Sequence, residues 1–324
     1  MKSKDQLFNF IRKKTPSSVS FVDKIAEVLE INYDAAYRRV NGKTSLGLNE
    51  ALKLMKAFNF SIDDVFSDKK DFIRVTKAEG VNSLDKLDDY FSIAINELKS
   101  ITKFQKSEIF YLAQDLPVYY STGMFRKFKM YSFLNVLADQ FNFQKMPFKE
   151  FDKSQVLVAK LKLLEDTYEA VSTTEIWCQD TLTSSINQIL YFFKTGLIDK
   201  ESTLLIVNDF HKTIQKVEQN CISGKKGNRD KVFKLYNNEL LNLNNTIFMK
   251  GEKENKFFVP YTTLSYIKIS DEETCDEVER YINKQLEFST PLSGSSVIDR
   301  SIFFNALYKK IGKLKELIEL ESDS

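Results

Sequence analysis

Histidine occurs once in this 324-residue chain, as His211. That scarcity excludes a multi-histidine metal site and any acid–base pair built from two imidazoles. Cysteine is nearly as rare. Cys178, Cys221 and Cys275 are scattered, with neither the paired spacing of a zinc site nor the density of a disulfide framework, so a reducing cytoplasm is the expected location. Long apolar runs are missing too. Stretches such as Ile189-Leu-Tyr-Phe-Phe193 fall far short of the roughly 20 residues that cross a bilayer. The start, Met1-Lys-Ser-Lys-Asp5, leads into an amphipathic segment and not into a signal peptide. No membrane association is expected.

The usual catalytic groupings are also absent. Asp209-Phe-His-Lys212 has no catalytic spacing, and His211 reads as a helix-surface residue. Ser223-Gly-Lys-Lys-Gly-Asn-Arg229 is basic and contains glycine, but it departs from the Gly, four residues, Gly-Lys-Ser/Thr order of a phosphate loop; it reads as solvated. Nothing in Pro291-Leu-Ser-Gly-Ser-Ser296 marks a nucleophilic serine. No catalytic residue, metal ligand or cofactor is predicted, and the chain reads as a non-enzyme.

What is present points to a folded protein of two domains. Hydrophobic residues make up 43% and charged residues 28%, ordinary for a packed chain, and the length exceeds what one core usually serves. Residues 1–60 hold 11 Lys and Arg against 6 Asp and Glu in a chain whose total charge is +2. Positive charge is thus concentrated at the N-terminus, as expected of a segment that meets an anionic polymer.

That segment reads as five short helices. The first runs from Asp5 to Lys14, with Leu7, Phe10 and Ile11 at helical spacing. Ser20 and Asp23 form a candidate capping box for the second, whose apolar residues include Ile25, Ala26 and Leu29. Asn32 is a good N-cap for the third, Tyr33 to Val40, which stops at Asn41-Gly42. A fourth from about Asn49 places Leu52, Met55 and Phe58 along one side, and a fifth follows Ser61-Ile-Asp-Asp64 with Ile62, Val65 and Phe66. The domain is assigned to residues 1–70, with a charged, aperiodic junction from Ser67 to Asn82.

In a helix-turn-helix the second of two closely packed helices lies in the major groove with its early residues facing base edges. Ala26 and Ala36 are small enough for close approach, and Ile31 can plug the corner. The outward positions are then Asn32, Tyr33, Asp34, Tyr37, Arg38 and, past the helix, Lys43 and Thr44. Arg38 can reach a guanine edge or a phosphate. Arg39 can reach a phosphate or a carboxylate within the bundle. Tyr33 and Tyr37 can contact thymine methyls or phosphates, or be partly buried.

The stretch Ile25-Ala-Glu-Val-Leu-Glu-Ile-Asn32, followed by Tyr33 to Asn41 and Gly42-Lys43, resembles the phage-repressor (Cro-like) helix-turn-helix family. Leu48 through Phe66 resembles that family's fourth helix and closing turn. The likeness covers about one fifth of the chain. It departs at Glu30, where the family commonly has glycine, and at Arg39, where it usually has a hydrophobic residue. What the resemblance implies is a bacterial one-component transcriptional regulator that binds double-stranded DNA. The other class the sequence admits is a scaffold protein whose N-terminal bundle docks a protein partner.

Residues 83–324 read as a larger, mainly helical α+β domain with a small antiparallel sheet. Long helix candidates cover 83–103, 124–141, 153–170, 179–194, 200–221, 272–287 and 299–319, and strand-like runs begin at Glu108, Asn245, Lys256 and Leu264. Lys250-Gly-Glu-Lys-Glu-Asn255 reads as a hairpin turn. The 27 Phe and 14 Tyr supply the core, and can also line a subunit interface or the pocket of a small-molecule effector. By analogy with one-component regulators this domain is expected to sense or dimerise. Homodimerisation is assigned here because the apolar residues of 1–70 are consumed by their own bundle.

Overall fold

A computed structural model describes residues 2–321 except 17–18, 67–72, 74, 82, 103, 105, 137–145, 152–154, 228, 241–243, 253, 263 and 295. The chain divides into two compact units, Met1–Ile73 and Arg74–Ser324. Part of the expected junction from Ser67, and the aromatic residues Phe141 and Phe143, lie outside the described residues.

The first unit contains α1 (Lys2–Lys14), α2 (Phe21–Leu29), α3 (Tyr33–Val40), α4 (Leu48–Ala57) and α5 (Ile62–Phe66). Their shared core is Leu7, Phe8, Ile11, Ile25, Leu29, Ala36, Leu54 and Phe60. In α4 the buried side chain is Leu54, and Leu52 is exposed, contrary to the expectation. The inward face of α4 follows Ala51, Leu54, Met55 and Phe58, the i, i+3, i+4, i+7 stripe. Leu52 falls off that stripe. Ile62, also expected inside, is exposed along with Leu48, so this unit does keep apolar surface. Ser20 stands at the N-cap of α2, but its hydroxyl makes no capping bond. Ser61 and Asp64 do form the reciprocal bonds of a capping box, at 2.6 and 3.4 Å.

The second unit is a mixed eight-stranded sheet with helices on both faces. In chain order its elements are β1 (Val75–Lys77), α6 (Leu84–Thr102), β2 (Glu108–Ala113), α7 (Gly123–Val136), α8 (Gln155–Tyr168), β3 (Ser172–Trp177), α9 (Thr183–Lys194), α10 (Lys200–Ser223), β4 (Phe233–Asn237), β5 (Thr246–Lys250), β6 (Lys256–Thr262), β7 (Ser265–Ile269), α11 (Glu272–Glu287), β8 (Thr290–Pro291) and α12 (Val297–Leu320). Twelve α-helices among the described residues make the chain mainly helical. The strand order is β1-β7-β6-β5-β2-β3-β4-β8.

The sheet is not the small antiparallel one expected from the sequence. β3 runs parallel to both β2 and β4, each connection crossing over through helices, while β5, β6 and β7 form the antiparallel meander. The β5–β6 hairpin, with Met249 opposite Lys256, lies where the sequence placed it.

Alternation along β2 divides the unit's two cores. Ile109, Tyr111 and Ala113 face the larger one, which also takes Leu87, Phe91, Ile95 and Leu98 of α6 and the inner residues of α7 to α10 and α12. Phe110 and Leu112 face the other way, onto Cys275 and Ile282 of α11. Phe148 and Phe151, from the aromatic-rich stretch, are both buried in the larger core and close edge-on around Tyr131.

α7 starts at a tight corner. Gly123 has φ +46°, a region that a side chain rarely tolerates. The carboxylate of Asp209, on α10, accepts a hydrogen bond from the Met124 amide at 2.8 Å, and Thr122 donates to the Asp209 carbonyl at 3.1 Å. The Asp209 carboxylate thus supplies the acceptor that an N-terminal turn lacks.

Candidate nucleic-acid interface

Three residues, Glu30, Ile31 and Asn32, separate α2 from α3. Glu30 takes the left-handed conformation with φ 57°, doing the work that glycine does at most such helix ends. Its amide reaches the Ala26 and Glu27 carbonyls, and the Ile31 amide donates to the Ala26 carbonyl at 3.1 Å. Lys53 holds the Glu30 side chain at 2.6 Å; that hydrogen bond, more than the charge, keeps the Glu30 carboxyl below the usual range. Asn32 then caps α3, its Oδ1 accepting from the Ala35 amide at 2.8 Å. The contact that locks the two helices together is Ala36, fully buried against them.

With Ala36 inward, α3 turns Tyr33, Asp34, Tyr37 and Arg38 to solvent. The two tyrosine rings stack at 6.4 Å with an interplanar angle of 18°, and each is nearly half exposed. Gly42, at φ 79°, ends the helix, and the Lys43 and Thr44 amides fold back onto the Arg38 carbonyl at 2.8 and 3.1 Å. Lys43 is exposed and Thr44 half-buried.

Arg39 does not share this face. Its guanidinium is in an ion pair with Glu50 of α4 at 2.7 Å, with Nε donating at 2.8 Å, and a further nitrogen donates to the Ala35 carbonyl at 3.2 Å. Of the two roles the sequence left open for Arg39, the structure shows the carboxylate within the unit. Glu50 also accepts from the Gly47 amide, so one carboxylate ties α3 to the start of α4. The hydrogen bond from Arg39 is the main reason its carboxyl lies below the usual range. Among the described residues, Arg38 and Lys43 take part in no ion pair. The outward set is therefore Tyr33, Asp34, Tyr37, Arg38 and Lys43, with Asn32 occupied in capping and Arg39 withdrawn.

A second polar constellation, in the second unit, escaped the sequence reading. Glu175 of β3 is fully buried and accepts hydrogen bonds from the Tyr120 hydroxyl at 2.5 Å, the Tyr168 hydroxyl at 2.7 Å and the Trp177 indole at 2.8 Å. Burial pushes its carboxyl pKa upward. Lys226, from the loop read as solvated, is itself buried. Its ammonium donates to the Tyr168 carbonyl at 3.0 Å and lies 3.5 Å from the centre of the Tyr168 ring. The expectation of solvent for this residue is wrong because its side chain turns inward onto the end of α8 at Tyr168. Burial lowers the Lys226 ammonium to about 7. Both groups are buried within the second unit.

Lys129 of α7 is a second buried cation, donating to the Leu116 and Pro117 carbonyls at 3.2 and 3.3 Å. Desolvation lowers it to about 7, against an ordinary value near 10.4 in an unfolded chain. Between those values the unfolded chain holds the extra proton, so stability rises with pH from about 7 until the unfolded lysine deprotonates. We expect the urea midpoint of the second unit to climb between pH 7 and 9.5, and to climb less in Lys129→Met. Equal slopes in the two proteins would contradict the assignment to Lys129.

His211 sits half-buried beside the Tyr308 ring, 4.9 Å between centres. Among the described residues, no group of three or more His, Cys, Asp or Glu is placed to hold a metal, and no helix is long and apolar enough to cross a membrane. No family model matches this chain, and neither does any curated protein or solved structure.

Proposed function

We propose that the chain is a sequence-specific double-stranded DNA-binding transcriptional regulator. In this reading α1 to α5 form a helix-turn-helix domain with α3 as its recognition helix. The observation that carries the reading is the outward face of α3: two exposed tyrosines, Asp34 and Arg38, continued by Lys43, packed tightly behind through Ala36. A helix so held can enter a major groove. Arg38 then offers two donors to guanine O6 and N7, Asp34 an acceptor to cytosine N4, and the tyrosines apolar edges to thymine methyls. The positive surplus of residues 1–60 supports approach to the phosphates.

Selection of bound duplexes from a random pool tests the reading, and absence of any enriched motif counts against it. On the selected site, Arg38→Ala is expected to weaken binding by about 1–3 kcal/mol and to relax preference at one base pair. Lys43→Ala is expected to weaken all duplexes alike and to reduce the salt slope by about one. The reverse pattern would exchange the two roles. A docking site for a protein partner is the competing outcome, shown by binding with little salt dependence and no duplex preference.

In the same reading the second unit pairs two copies, so that two recognition helices meet half-sites about 34–36 Å apart. Exposed Val297, Ile298 and Ile302 at the start of α12 support an apolar contact there. The full chain should then scatter light as a dimer and prefer a palindromic duplex to one half-site by at least tenfold, through effective concentration. Ile298→Asp together with Ile302→Asp should give monomers. A monomeric wild-type chain would exclude the arrangement.

A further inference from the structure

Where α6 crosses β1, β7, β6, β5 and β2, the second unit leaves a pocket of about 530 Å³. Packed interiors hold few voids larger than a water molecule, and this volume is that of a site for a drug-sized ligand. Its walls are predominantly apolar, with Val118, Leu164, Ile247 and Phe258 among them. Four phenols also line it: Tyr90, Tyr111, Tyr119 and Tyr266. Tyr90 and Tyr266 stack at 6.5 Å, and Tyr111 meets Tyr119 edge-on at 6.1 Å, so the rings are held in place before any ligand arrives. Burial raises the pKa of each of the four. They remain protonated, with the Tyr111 and Tyr266 hydroxyls hydrogen-bonded to each other.

Of the charged residues in the lining, Glu79, Lys86, Asp89, Glu97 and Lys268 are held in ion pairs, and Lys77 is in none among the described residues. Glu97 accepts from Lys256 and Lys268 at 2.7 and 2.9 Å. Lys86 pairs with Glu79 and Asp89, and the Lys77 ammonium lies 5.1 Å from the Tyr261 ring centre. A charged ligand entering this pocket would lose its water and find, among the lining residues, only the exposed Lys77 outside an ion pair. An apolar body with a polar handle loses little and finds phenols.

We propose that this pocket binds an uncharged, largely apolar small molecule of ring-system size that carries a hydroxyl or carbonyl group for the phenols. The site rests on the second unit alone and is independent of the DNA reading.

The test uses the full chain and two dyes that differ in one charge, N-phenyl-1-naphthylamine and its 8-sulfonate analogue. The neutral dye is expected to brighten and saturate at one per chain, with the sulfonate at least tenfold weaker. Ala94→Trp, which fills the pocket from α6, should weaken the neutral dye at least tenfold. 2-Naphthol should displace the dye at a concentration at least threefold lower than 2-methylnaphthalene, and Tyr111→Phe with Tyr266→Phe should erase that difference. Because Ala94→Trp can also disturb folding, hydrogen exchange on the unmodified chain provides a second measurement. Dye-dependent slowing confined to α6 and the facing strands supports the site. No saturable uptake, equal uptake of the sulfonate, or slowing only elsewhere would overturn it.

Discussion

Glu175→Ala is expected to destabilise the second unit by about 3–5 kcal/mol, the cost of breaking a buried ionisable network from one side. The mutation removes the acceptor for the Tyr120, Tyr168 and Trp177 donors and strips Lys226 of its nearby carboxylate. Three donors then stand in a dry interior without their acceptor, and Lys226 keeps only the Tyr168 carbonyl and ring. Glu175→Gln keeps an acceptor oxygen and should cost less. Replacing both charged partners, Glu175→Leu with Lys226→Met, should cost less than the sum of the single changes, because each single change leaves the other group stranded. Urea unfolding of the wild type, Glu175→Ala, Glu175→Gln, Glu175→Leu, Lys226→Met and the double variant measures this, and a loss below about 1 kcal/mol in Glu175→Ala would show that the network contributes little.

Gly123→Ala is expected to destabilise the second unit by roughly 2–4 kcal/mol. Two costs combine there. The left-handed backbone resists any Cβ, and the added carbon would lie 2.2 Å from Oδ2 of Asp209, which must then leave the Met124 amide it caps. Gly196 isolates the first cost, having φ +70° and open space around its would-be Cβ. Gly196→Ala should therefore cost only about 1 kcal/mol. Similar losses at the two sites would mean that Asp209 moves aside freely and that its cap is dispensable.

The long helices were legible in the sequence to within a few residues, because each carries a stripe broad enough to fix its period; the end expected near 141 and the start expected near 153 lie outside the described residues. Strands β3 and β4 were not. In β3 the inward side chain at the centre is Glu175, so a test for alternating apolar residues finds a charge where it expects the core. The compensation lies in Tyr168, seven residues back on the preceding helix, and in Tyr120 and Lys226, which are distant in sequence and invisible to a local window. Missing β3 and β4 also concealed the parallel part of the sheet, which made the remaining strands look like a simple meander.

At the α3 face the local signals were sufficient for the backbone. Asn32 and Gly42 marked the ends, and Ala36 the inward side. Arg39 was ambiguous because its partner, Glu50, is on another helix. Leu52 misled for a related reason: the spacing of Leu52, Met55 and Phe58 is helical, but a second stripe one step away, through Leu54, fits the core better.

The outermost strands of the sheet have a consequence for how copies of the chain can meet. β1 is three residues long and β8 only two, one of them Pro291, which has no amide hydrogen to offer. A neighbouring molecule seeking to lengthen the sheet finds almost no row of unpaired backbone groups at either edge, the arrangement by which natural sheets resist fibre-like stacking. If copies of this unit pair, as proposed above, the contact is expected to run through side chains on its helices, where single substitutions can tune or abolish it, and not through the backbone, where they could not.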